Sequence, residues 1–384
     1  MNVKRFLGDQ LDGKFLVIMS IGFAWYLLGL QLSSSSKVYH QLIQILFWVP
    51  GFLYLFVNPQ VLRLWLARLP LFLLGFAAWS MLSVLWAQGD TRIKEVFYLL
   101  LAFNSILVLA WLDQERLWKI MAYAVLVGGG LAWYGIGIFF LVDGHDFSER
   151  LIGPGALEDT IIASHYMGAL GILLYCFRGR LRQALQGWVW LLSLSGYCAY
   201  LLLSKSKGPI ISLLIALLFL LVIIYRRRAL LLVAGICAAL LAYAYFFPEY
   251  ALRGGMSYRP EVWDAAVEVL RQNPFAGIGL NVNYLIVIPS LEQPLHHAHN
   301  FFLHLAIQFG LIGLFGWGCV QYAVLLQARQ HFAADKGRAL VALSIFAFLA
   351  LLTDGEGPWV KPNETWFTFW LPVFMALGLG VKKP

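Results

Sequence analysis

Residues 203–228 read LSKSKGPIISLLIALLFLLVIIYRRR. From Pro209 to Tyr225 the run is apolar and carries no charge; Lys205 and Lys207 stand before it and Arg226, Arg227 and Arg228 after it. A helix needs about 20 apolar residues to cross the hydrocarbon core. The run therefore reads as a membrane span, with a cationic hairpin at one interface and an arginine cluster at the other.

The same ruler works along the whole chain. Hydrophobic residues make up 61% and charged residues 12% of the 384 positions, too little charge to coat a soluble protein of this length. Apolar runs fall near 15–32, 40–57, 69–86, 96–112, 117–142, 160–177, 187–203, 209–225, 229–247, 299–327, 338–353 and 364–380. The expectation is an all-α polytopic membrane protein of about 12 transmembrane helices. It forms one membrane domain over 1–384, with no repeat, low-complexity tract or separate soluble domain. Arg63 and Arg68 are expected in a short loop before the third span. The run that follows Phe15 has no small-residue cleavage site after it and reads as a retained first helix.

Lysine and arginine placement sets the orientation. With the N-terminus in the cytoplasm, 18 of the 28 basic residues fall in loops on that side, whereas 15 of the 20 acids fall on the other. Both termini are then cytoplasmic. The net charge of +8 comes from these short clusters rather than from a basic stripe, so nucleic acid is not an expected partner. Cys176, Cys198, Cys237 and Cys319 lie inside apolar runs without CxxC spacing, and read as buried, inert thiols.

Two external loops have real size, 143–159 and 248–298. The larger one should carry a short helix, because Arg259-Pro260 provides a proline at a first turn and an amphipathic pattern follows. Asn273-Pro274 ends that helix, and Gly277 and Gly279 make a turn.

Chemistry concentrates at three places on this external side. His296-His297-Ala298-His299-Asn300 directly precedes the tenth apolar run. The free N–H groups of a helix start favour anions, and a neutral imidazole beside them can take a proton from a hydroxyl. A metal site and an inert interfacial cluster are the competing readings of the three histidines. Lys205 and Lys207 form the second place, cations on the side where topology does not require them; they hold an anion or else snorkel at the interface. Arg253, Arg259 and the helix that starts there form the third, since guanidinium forks match phosphate oxygens. A Walker-type phosphate loop, an external DxD pair, a Gly-x-Ser-x-Gly elbow and an external cysteine are all missing. Acid/base group transfer without metal or cofactor is what remains.

At these residues the sequence resembles the O-antigen ligase and polymerase superfamily of bacterial surface polysaccharide assembly. Ser204 to Gly208 resembles the family's Ser-Arg-Gly turn, with Lys207 where arginine is usual. Arg259-Pro-Glu-Val-Trp263, followed by Asn273-Pro-Phe-Ala-Gly-Ile-Gly279, resembles its Arg-x-x-x-Trp and Asn-Pro-x-x-Gly-x-Gly. His299-Asn300-x-x-Leu303 with Gly310-Leu-Ile-Gly313, and Arg150-Leu-Ile-Gly153, complete the match. It covers roughly 145–315.

The resemblance implies a GT-C-like helical bundle in the bacterial inner membrane. It implies transfer of a glycan from undecaprenyl diphosphate to an acceptor hydroxyl at the periplasmic face, with inversion. The ligase, whose acceptor is lipid A-core, leads over a protein O-oligosaccharyltransferase or an O-antigen polymerase, because no further domain follows the last span. In that reaction His299 orients or deprotonates the acceptor. Lys205, Lys207, Arg253, Arg259 and Arg150 are expected to neutralise the diphosphate. His296, His297, Asn300, Asp354 and Glu356 are expected to contact the acceptor or support the cluster. A lipid-linked sugar transporter is the rival from another class, but it should spread its charges along the spans, and here they gather at span ends.

Overall fold

A backbone in hydrocarbon must satisfy its own N–H and C=O groups, and the apolar runs duly become helices. The computed structural model describes residues 3–89, 91–184, 186–225, 258–289, 291 and 293–382, together with positions 231, 235, 238 and 245. Among the described residues eight helices are long and apolar enough to span: Gln10–Leu32, Ser36–Val57, Arg68–Leu85, Ile93–Val142, Gly187–Ser204, Lys207–Tyr225, Phe301–Gln330 and Asp335–Thr353; Thr160–Cys176 and Leu371–Gly380 are shorter apolar ones. Among the described residues the one β feature is an isolated bridge between Ile286 and Leu295. The chain is an all-α polytopic membrane protein.

Ile93–Val142 accounts for two expected spans. Its 50 residues would reach about 75 Å as one rod, twice what a bilayer needs. The break is at Asp113, with φ −155° and ψ 96°. The Asp113 carboxylate accepts the Arg116 N–H at 2.9 Å and so caps the second half. Eleven of the twelve expected spans thus have a described helix; apart from positions 231, 235, 238 and 245, the expected span 229–247 lies outside the described residues.

Two expectations need correction. Residues Pro59–Leu66, with Arg63, form a 3₁₀ helix rather than a loop, and Arg68 opens the next helix. Asn58 drives this turn by accepting the Gln60 N–H. Cys198 is exposed and Cys319 half-buried, so only Cys176 of the described thiols is buried; in a bundle that faces lipid, an apolar run has an outward side.

The last segment fills the centre. Trp366, Phe367, Phe369, Trp370 and Phe374 are almost fully buried, against Tyr26, Trp48, Phe103 and Trp317. Leu371–Gly380 has ten residues, too few to cross lipid, but it is surrounded by protein.

The helix Phe301–Gln330 breaks at Gly310, where φ is 67°. The loop after the helix Arg259–Gln272 is stitched onto this break. Leu311 N–H donates to Pro274 O, Ile278 N–H to Ile307 O and Gly279 N–H to Gln308 O, at 2.8–2.9 Å. A Cβ at Gly310 would lie 1.9 Å from Phe275 O, and one at Gly277 2.4 Å from Gln308 O. Glycine is needed on both sides because the two backbones touch.

Candidate active site

The residue before the helix Phe301–Gln330 is its cap. Asn300 Oδ1 accepts the Leu303 N–H at 3.1 Å, and Asn300 is buried. The Asn-x-x-Leu spacing is thus an N-cap, which gives Asn300 a structural task. His299, one residue earlier, sits at φ 46°, a left-handed conformation that costs a non-glycine residue about 1 kcal/mol or more. Its N–H donates to His297 Nδ1 at 3.2 Å, and the two rings lie 3.8 Å apart between centroids. The Tyr284 hydroxyl, hydrogen-bonded to His304 Nδ1 at 2.8 Å, backs this turn from inside.

The helix Asp335–Thr353 ends beside it. His299 Nδ1 lies 3.7 Å from Asp354 Oδ1. A carboxylate on Nδ1 leaves Nε2 as the basic nitrogen. Burial pushes the Asp354 carboxyl up, but the His299 ring and the Gly355 N–H more than offset this and hold it below the usual carboxylate range. Glu356 is pushed the other way, first by burial and then by Asp354 and Asp159. Burial lowers His297, as do His299 and His296, while Asp354 acts against them.

These groups line one cavity of about 270 Å³, together with Arg259, Asp159, His165, Thr365 and Thr368. Arg259 is held there by its Nε, which donates to Thr353 O at 3.1 Å. Of the residues singled out in the sequence, His299, His297, Arg259, Asp354 and Glu356 therefore meet in one place. His296 is exposed and outside the cavity wall. Arg253 lies outside the described residues.

The cationic hairpin is at the rim. A Cβ at Gly208 would sit 3.5 Å from Thr353 Oγ1, next to the carbonyl that holds Arg259. Lys205 and Arg150 are already engaged within the protein. Lys205 Nζ donates to Phe147 O and Ser148 O at 2.8 and 2.7 Å. Arg150 donates to Ser204 O at 3.1 Å and to Ser206 Oγ at 2.9 Å. The two cations pin the 143–159 loop to the hairpin, while Lys207 is exposed at the turn.

Sequence reasoning missed His165 and Asp159. Asp159 caps the helix Thr160–Cys176 by accepting the Ile161 and Ile162 N–H groups. His165 Nε2 is buried without a hydrogen-bond partner among the described residues. An ionisable residue inside an apolar run is the signal that could have found it. His297, His299 and Asp354 also offer ligand atoms within 4.8 Å of one another, so a cation has three donors here, with Arg259 opposing it in the same cavity.

Residues 189–318 match the family model for O-antigen ligase. The chain is also 28% identical to the O-antigen ligase of Pseudomonas aeruginosa PAO1 over 376 residues, 95% of this chain and 91% of that protein. Both likenesses are to O-antigen ligase. The matched segment spans the hairpin, the helix Arg259–Gln272, the interlock at Gly310 and His299, and it supplies Arg259, His297 and His299 to the cavity. Asp159, His165 and the wall from Leu351 to Phe369 come from outside it. With these helices the protein is a multi-pass membrane protein.

Proposed function

We propose that this protein is a glycosyltransferase that moves O-antigen polysaccharide from undecaprenyl diphosphate to a sugar hydroxyl of lipid A-core. The reaction takes place at the periplasmic face, with both termini cytoplasmic, and the 143–159 and 248–298 loops of a single GT-C-like domain frame it. The reading rests on the His299–Asp354 pair in a cavity that also holds Arg259, and on the likeness to a protein named O-antigen ligase.

In the step proposed, the acceptor oxygen forms a bond to the anomeric carbon as the bond from that carbon to the diphosphate oxygen breaks. The hydroxyl proton passes to His299 Nε2, and the bonding pair leaves on undecaprenyl diphosphate. Asp354 holds the imidazole in the tautomer that accepts the proton and offsets its positive charge afterwards. Arg259 and Lys207 face the charge that develops on the diphosphate; Arg150 and Lys205 act by holding the hairpin. Attack opposite the leaving group inverts the anomeric centre. No metal takes part in this scheme.

Purified protein in lipid nanodiscs, given lipid-linked glycan and lipid A-core, tests it. His299→Ala with normal insertion should lose transfer, and near wild-type activity would sink the reading. The three donor atoms at His297, His299 and Asp354 favour a second reading, metal-assisted transfer. Transfer that stops with a chelator and returns with a divalent ion would favour that one. In a deletion strain, core without long chains together with accumulated lipid-linked polymer separates a ligase from a polymerase or a protein glycosyltransferase.

A further inference from the structure

The loop after Asp354 has a second face. Asp354, Gly355, Glu356 and Thr365 line the candidate active site, while Lys361 and Pro362 of the same loop line a neighbouring cavity of about 470 Å³. The opposite wall is the first turns of the helix Ser36–Val57, with Ser36, Lys37, His40 and Gln44. Tyr98 closes it from a second helix. His40 Nε2 hydrogen-bonds to Pro362 O, so the loop is fastened to that helix and the two lysines face a fixed space.

Almost every lining side chain can make hydrogen bonds. That is an unusual surface for the outer turns of a membrane helix, whose residues otherwise face lipid. Lys37 and Lys361 are on the side where topology does not require cations. Arg92 and Lys94 are also on that side, within electrostatic reach of the buried carboxylate of Glu95, as is Lys361. Lys361, Arg92 and Lys94 thus meet near Glu95, with Glu356 within reach of Arg92 and Glu364 within reach of Tyr39. Ammonium groups from two separate elements, with amide, imidazole and hydroxyl donors between them, match a phosphate group. The cavity lies at the ends of two helices long and apolar enough to span and shares a loop with the transfer site, which fits a phosphate carried by a membrane-anchored molecule.

We propose that Lys37 and Lys361, with His40, Gln44 and Tyr98, bind a phosphate group of the acceptor glycolipid and so seat its sugar hydroxyl at the adjoining cavity. The proposal rests on the transferase reading above.

The test compares a phosphorylated acceptor with the same acceptor after phosphatase treatment. The K37A/K361A double variant should raise KM for the phosphorylated acceptor about tenfold with kcat kept. It should leave KM for the dephosphorylated acceptor unchanged, and K37R/K361R should restore the wild-type value. Unchanged KM for both acceptors overturns the proposal. An equal rise for both also overturns it, since the corner would then serve structure or a bulk phospholipid headgroup. No transfer by the wild-type protein would instead remove the transferase reading, which makes the two failures distinguishable.

Discussion

His299 Nδ1 and Asp354 Oδ1 face each other at 3.7 Å, one at the start of a helix and the other just past the end of its neighbour. The pair gives His299 a direction as well as a position, since the nitrogen turned from Asp354 is the one left to accept a proton. Asp354→Asn keeps the shape and removes the charge. Loss of about 10²-fold or more in kcat is expected, with the acceptor KM little changed. An equal loss in KM would mean that Asp354 binds substrate rather than orienting His299.

Acid should destabilise the site. Burial, His299 and His296 lower the His297 proton affinity below the ordinary 6.5, so the unfolded chain binds more protons than the folded one just below that pH. Stability is then fully present above about pH 6.5 and is lost as pH falls. The depressed Asp354 carboxyl extends the loss in the same direction through the carboxylate range. Thermal unfolding in detergent between pH 7.5 and 5 should show this fall, and His297→Gln should flatten its upper part.

Arg259 and Arg150 should separate by what each one touches. Arg259→Lys removes the Nε–Thr353 hydrogen bond and the planar fork, and is expected to raise the donor KM by about tenfold. Arg150→Lys breaks the link between the 143–159 loop and the hairpin, and should lower Tm while the donor KM moves much less. A donor KM more sensitive to Arg150 than to Arg259 would reverse the assignment.

Gly310→Ala should be severe. A Cβ there meets Phe275 O at 1.9 Å, and φ of 67° is strained for alanine, so a loss of about 2 kcal/mol or more is expected. Gly318→Ala, in the same helix with open space around it, serves as the comparison. Equal Tm values for the two would refute the interlock.

The spans were legible because hydrocarbon permits few backbone solutions, and long apolar runs with basic ends state them openly. His299 was legible because three histidines precede an apolar run. Asp354 was legible only as an acid that could pair with His299 or with a cation of the external side; the pairing itself depends on two helices ending side by side, which no local pattern encodes. Arg150 and Lys205, expected to neutralise a diphosphate, donate their hydrogen bonds to carbonyls and a hydroxyl of each other's loops, a link that charge alone does not reveal. His165 was overlooked within a run read only for hydropathy.

The ten-residue helix Leu371–Gly380, wrapped by aromatic side chains, has a consequence for biosynthesis. It is made after the helices that surround it and is too short to be stable in lipid alone, so it must enter a space that those helices have already enclosed. Thr365, Thr368 and Phe369, which complete the cavity wall, arrive with it. The cavity is therefore closed only after this helix is in place, and a chain that stalls before it leaves His299 facing an open groove.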